Sequence, residues 1–223
     1  MKGLAMKSVM IFFVLALSFG VQSQTMTVEE YDPVSTLVVP ETILTRAKYP
    51  FIDVHRHHFK VMDAHDLDSL AADMDKVNLA VYVNLSGRGR SIFFNPRPDT
   101  DSDVLETSLK NIQASKHHNR FILFTNIRFN DIDDPDWGKR TVQRLERDVK
   151  LGARGLKIYK DLGLTVKDKS GKRIAVDDPR LDPIWAKCGE LGIPVLIHSG
   201  EPISFWKPKD KHNERWLELK MFP

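Results

Sequence analysis

Five short apolar runs, at residues 51–54, 79–83, 121–126, 155–159 and 194–198, alternate with segments of helical periodicity. Each run is rich in Val, Ile, Leu and Phe and reads as a parallel strand buried on both faces. Four helices are predicted between them. Asp66 opens the first, which carries Leu67, Leu70, Met74 and Val77, and Ser102 or Asp103 opens the second, with Leu105, Leu109 and Ile112. Asp136 starts the third, with Val142, Leu145 and Val149 ahead of Gly152. The fourth begins at Asp182-Pro183 and ends before Gly192, with proline at its first turn and glycine past its end. Strands that alternate with helices of this kind mean a βα repeat and a parallel sheet.

A doubly wound sheet and a barrel both satisfy that pattern, so the polar residues decide. They follow the strands: His55 and His57 the first, Asn84-Leu85-Ser86-Gly87-Arg88-Gly89-Arg90 the second, Asn126 and Arg128 the third. Lys157 and Lys160 lie at the fourth and His198 at the fifth. Groups from five strand ends meeting on one face suit a barrel, whereas a doubly wound sheet gathers them at one switch point. The expected fold is therefore α/β, a TIM-type (β/α)8 barrel with about five βα units present. Closure needs eight strands and typically roughly 250 residues, so this chain of 223 residues is expected to be an incomplete, truncated barrel. The alternative is a five-stranded open sheet, which has to cover the edge of its last strand.

The first residues stand apart. Lys2 and Lys7, an apolar run at 9–17 and the small-residue site Val21-Gln22-Ser23 make residues 1–23 a secretory signal peptide. The apolar run is shorter than the roughly 20 residues of a membrane span. The mature protein is thus expected to be exported, periplasmic or secreted, with no membrane attachment. Residues 24–48, with Pro33 and Pro40 and no strong periodicity, form an N-terminal arm, and 49–223 the barrel domain. The chain holds 33 Lys and Arg against 30 Asp and Glu, and setting aside the two lysines of the leader brings it close to neutral. No basic stripe with interleaved aromatics is present, which argues against a nucleic-acid partner. The single cysteine, Cys188, excludes an internal disulfide and, with Ile184, Trp185 and Leu191 around it, reads as packing.

The chemistry is expected to start at Pro50-Phe51-Ile52-Asp53-Val54-His55-Arg56-His57-His58. Strand side chains alternate direction, so His55 and His57 leave the strand pointing the same way. Two nitrogen donors converging on one point suit a divalent metal, and His198, at the end of the fifth strand, is a third candidate ligand. His58 points the other way and reads as support or packing; His65, His117 and His118 read as surface residues. Arg88, Arg90 and Arg128 are candidates for gripping a substrate carboxylate. Glu201 is a candidate for orienting a ligand.

Ile52-Asp53-Val54-His55-Arg56-His57, Gly155-Leu156-Lys157-Ile158-Tyr159, Asp177-Asp178-Pro179-Arg180-Leu181-Asp182-Pro183-Ile184-Trp185 and Gly192-Ile193-Pro194-Val195-Leu196-Ile197-His198-Ser199-Gly200 together resemble the amidohydrolase superfamily. The resemblance is to its amidohydrolase-related group, which includes aminocarboxymuconate-semialdehyde decarboxylase and pyrone-dicarboxylate lactonase. It implies a metal-dependent hydrolase, or less often a decarboxylase, with His55 and His57 as first-strand ligands and His198 as the fifth-strand ligand. Lys157 falls where binuclear relatives carry a lysine carbamate between two metals; substrate binding or a surface pair are the other readings of it. The family pattern also has a sixth-strand His and an eighth-strand catalytic Asp, expected beyond Pro223. The implied cofactor is a divalent cation, Zn or Mn, and the implied partner a small amide, lactone or ester substrate. A non-catalytic envelope protein on the same scaffold is the reading from another class, and homo-oligomerisation is left open.

Overall fold

The strands pair in parallel and neighbour one another in chain order. They are seen in a computed structural model that describes residues 26–27, 30–34, 39–40, 42–89 and 102–221. The expected leader, residues 1–23, lies outside the described residues, as does Arg90. Strands β1 (Phe51–Arg56), β2 (Leu79–Asn84) and β3 (Phe121–Leu123) make one three-stranded sheet, and β4 (Thr125–Asn126), β5 (Leu156–Ile158) and β6 (Val195–Ile197) make a second. The third expected strand is thus split at Phe124. Its first half pairs with β2, Tyr82 opposite Phe121, and its second with β5, Thr125 opposite Leu156. Phe124 N donates to Asn84 O at 2.9 Å and Thr125 N to Gly155 O at 2.8 Å, so backbone hydrogen bonding passes from one sheet to the next without a gap. At that crossing Gly155 lies against the Phe124 ring, where a Cβ would overlap three ring carbons.

Chain order without a reversal is consistent with a barrel sector, and no switch point of a doubly wound sheet occurs among the described residues. The sheet does not close among the described residues: β1 pairs with β2 alone and β6 with β5 alone. This corrects the expectation of buried end strands. Phe51, Ile52 and Val54 are 40%, 57% and 58% exposed, because only one flank of β1 is covered. The apolar run identified the strand correctly, but burial needs neighbours on both sides.

Helices α1 (Ala64–Val77), α2 (Ser102–Ala114), α3 (Trp137–Leu151) and α4 (Asp182–Glu190) connect the strands. Asp63, not Asp66, caps α1: its carboxylate accepts from Asp66 N, satisfying an amide without an intrahelical partner. Asn78, at φ 65°, ends that helix. Gly152 ends α3, its N–H donating to Asp148 O and Val149 O. The apolar stripes of α1 and α2 pack on β2 and β3 through Leu67, Met74, Leu105, Leu109, Ile112, Phe121 and Leu123. Those of α3 and α4 meet β5 through Leu145, Ile184, Cys188, Leu156 and Ile158. Burial pushes the Cys188 thiol up to about 11, which suits its packing role. A smaller cluster of Val83, Leu85 and Phe124, with Val81, Ile122 and Leu196 against it, holds the strands together separately from those helix contacts.

The described residues of 39–201 form one unit, and those of 26–34 with 202–221 belong to the other. Within the second, Tyr31 donates to Glu214 O at 2.7 Å, Asn213 Nδ2 donates to Ser204 O and Pro208 O, and helix α5 (Trp216–Met221) buries Trp216 and Leu219. Among the described residues no helix is long and apolar enough to cross a membrane.

One ion-pair network makes the first unit acid-sensitive. Arg180 bonds both carboxylate oxygens of Asp178 at 2.8 Å and also reaches Asp133 at 2.8 Å. Those bonds hold the Asp178 carboxyl down at about 2. A carboxyl depressed on folding contributes stability above its unfolded value, and the contribution fades as pH falls toward 2. Arg180→Met is expected to lower stability at pH 6 by about 1–2 kcal/mol, the low end of charge-assisted bonds because the Arg180 side chain is 34% exposed and screened. Urea titrations at pH 6 and pH 2.5 check this; a difference from wild type that stays constant between them contradicts it.

Candidate metal centre

The end of β1 is held by its own carboxylate: Asp53 accepts from His55 N at 3.0 Å and from Arg56 Nε at 2.5 Å. Beyond it, Asn84 at the end of β2 clamps the backbone, accepting from His58 N at 3.0 Å and donating to His58 O at 3.1 Å. The His55 and His57 rings meet edge to face with centroids 5.2 Å apart. His57 stacks on Phe59 at 5.6 Å and on Tyr159 at 6.0 Å, and its Nδ1 is 2.7 Å from Ser86 Oγ.

His198 follows β6, its N–H donating to Ile158 O at 3.0 Å. His57 remains exposed over part of its surface, yet its pKa is lowered to about 4 by burial of the ring and then by His55, Lys157 and His198. The His198 pKa is lowered by burial, then by Lys157 and Lys160 and by His55, against an opposing pull from Glu201. The imidazoles of β1 and β6 therefore share one field. Both shifts favour the neutral form, which is the form that ligates metal.

Lys157 points into the same region. The residue is 1% exposed, its Nζ has no hydrogen-bond partner among the described residues, and it lies 5.8 Å from the Tyr159 ring centre. Burial lowers its pKa. A surface pair is thereby excluded for Lys157. Burial likewise raises the Tyr159 hydroxyl to about 12, keeping it a proton donor at neutral pH.

Residues 52–217 match the family model described as amidohydrolase. The chain belongs to the amidohydrolase family. A comparison with curated proteins finds no match. The amidohydrolase family typically binds divalent metals and carries hydrolase or decarboxylase-type activity. Three imidazoles, with His57 and His198 held toward neutrality, beside a buried amine fit such a cation in donor chemistry.

Their nitrogens are not drawn as close as a formed site requires. Among the described residues, the trio with ligand atoms within 4.8 Å of one another is Asp63, His65 and Asp66, at the start of α1. Those carboxylates have other work. Asp63 caps the helix, and Asp66 lies 3.3 Å from His58 and 3.5 Å from Lys60. His58 accordingly faces α1, the supporting role its alternation suggests.

The remaining sequence candidates of this amidohydrolase separate. Arg88 is corrected from a substrate residue to an internal one, since its side chain is 3% exposed and ion-paired with Asp148. Its loop position suggested solvent, but the guanidinium turns inward toward α3. Glu201 pairs with Lys160 at 2.6 Å. Arg128 lines a cavity of about 210 Å³ with Phe129, Asn130, Tyr159, Asp161 and Lys167. Burial raises the Asp161 pKa. Asn84, Ser86, Tyr159 and Asn126 were not assigned roles from sequence. Their signal was available, since each is a polar residue at or just past the carboxyl end of a strand.

Proposed function

We propose that this amidohydrolase is a metal-dependent hydrolase in which His55, His57 and His198 hold one divalent cation, Zn or Mn, for attack of water on a small amide, lactone or ester. The observation that carries the reading is the shared field of these imidazoles and Lys157, within a segment that matches the family. A divalent cation bound there supplies Lewis acidity toward a carbonyl oxygen and brings the pKa of water down to about 7. His57 and His198, held neutral, present lone pairs at neutral pH without first losing a proton. Lys157 serves either as a carbamate ligand or as an ammonium facing a substrate anion, and its buried, unpartnered Nζ supports both. Arg128, beside the cavity, contacts substrate, and Glu201 with Lys160 borders the His198 side. The protein is exported on its leader to the periplasm or beyond.

Purified protein is expected to carry a divalent metal. His55→Ala, His57→Ala and His198→Ala are each expected to weaken Zn binding by more than about 100-fold, above the loss typical of residues one shell farther out. Elemental analysis and competition with a chelating dye measure this. Wild-type affinity in all three variants would overturn the ligand set, and a metal-free wild type would favour the non-catalytic scaffold. Release of an amine or alcohol, as against carbon dioxide, separates hydrolase from decarboxylase.

A further inference from the structure

We infer that Ser86 and Tyr159 are positioning residues for His57, a hydroxyl pair that sets its tautomer and leaves Nε2 as the donor. The inference rests on the reading of His57 as a ligand. His57 Nδ1 and Ser86 Oγ are 2.7 Å apart, Ser86 Oγ and Tyr159 Oη 2.8 Å, and Tyr159 Oη reaches Leu85 O at 3.4 Å. A carbonyl oxygen can only accept, and each hydroxyl has one proton to give. With the Tyr159 proton on Leu85 O, which Asn126 Nδ2 also reaches at 2.9 Å, Ser86 donates to Tyr159 Oη and His57 Nδ1–H donates to Ser86 Oγ, the sense in which all three contacts are hydrogen bonds. The opposite sense would spend the tyrosine proton on the serine and leave Leu85 O with its Asn126 bond alone. It would also put the imidazole proton on Nε2, removing that lone pair.

The chain of hydroxyls has firm supports. Ser86 is fully buried, and its N–H donates to Asn84 Oδ1 at 2.9 Å. Asn84 is the side chain that also clamps His58, so the group orienting His57 and the backbone carrying His57 hang from one amide. Stacking on Phe59, with ring planes 6° apart, fixes the plane of the imidazole, while Ser86 fixes its rotation within that plane. Metal-ligating histidines generally need such a partner on the other ring nitrogen, and its loss weakens binding by about 10- to 100-fold.

The test uses the full chain with 15N-labelled histidine, metal-free, and the same protein titrated with Zn. Long-range 1H–15N spectra of the metal-free wild type are expected to show His57 protonated at Nδ1, assigned by the signal lost in His57→Ala. Tyr159→Phe, which keeps the stacked ring, is expected to shift that signal toward the other tautomer and to weaken Zn binding about 10-fold; Ser86→Ala is expected to do so by up to about 100-fold. An Nε2–H tautomer in the wild type overturns the inference, as does a Tyr159→Phe protein with unchanged tautomer and affinity. If Ser86→Ala does not fold, Tyr159→Phe decides alone. Zn affinity unchanged in His57→Ala would instead remove the ligand role, a failure distinct from that of the hydroxyl pair because the metal-free spectrum still reports on it.

Discussion

Asp148→Ala is expected to lower the unfolding free energy by about 3–5 kcal/mol, the usual cost of stranding a buried charge without its partner. Asp148 projects from α3, and its Oδ2 accepts from Arg88 Nη2 and, at 2.5 Å, from Thr125 Oγ1. Arg88 Nε completes the triangle with a 3.1 Å bond to Thr125 Oγ1. The two charged side chains are 3% and 2% exposed, so water cannot replace the lost carboxylate. Asp148 Oδ1 has no hydrogen-bond partner among the described residues, so the carboxylate's desolvation is only partly offset. The pair itself is consequently expected to add little over apolar residues of similar volume. The double variant Arg88→Met/Asp148→Leu should then recover most of the loss. Urea denaturation of the singles and the double measures this; an Asp148→Ala loss below about 1 kcal/mol would mean that Arg88 reaches solvent in solution.

The second large effect is at the neighbouring position. Gly87→Ala is expected to destabilise by about 3 kcal/mol, the upper range for forcing an extra methyl group into a packed core. A Cβ on Gly87 would overlap the carbonyl oxygen of Phe124 and come within 2.7 Å of Leu105 Cδ1. The carbonyl is backbone and cannot turn aside, because it also accepts from Gly87 N at 3.2 Å. Relief requires moving the loop that carries Ser86 and Arg88, so folded Gly87→Ala protein should also bind Zn more weakly. Gly189, on α4, is the control: nothing lies within 4 Å of its missing Cβ, and Gly189→Ala is expected to stabilise by about 0.5–1 kcal/mol. Equal denaturation midpoints for Gly87→Ala and wild type would contradict the packing argument.

These two positions show where reading the chain stops. Gly87 and Arg88 belong to a stretch with two glycines and two arginines, whose composition is that of a solvated loop. Its burial comes from Phe124 and Asp148, and nothing local announces either contact. The parallel strands, the four connecting helices and their order were legible, because a strand or helix writes its period into consecutive residues. The corrections to the strands, an exposed β1 and a third strand broken at Phe124, both concern neighbours and not the run itself.

The same division holds at the candidate site. From sequence alone came the histidines at the strand ends, the lysine at 157 and the family they resemble, all features carried by short contiguous motifs. Tertiary structure alone decided that Ser86 meets His57 across 29 positions, Tyr159 meets Ser86 across 73, and Arg88 turns to Asp148 across 60. Hydrophobic periodicity is a local property that survives in one dimension. The pairing of buried polar groups is a property of distance, and only the folded chain defines those distances.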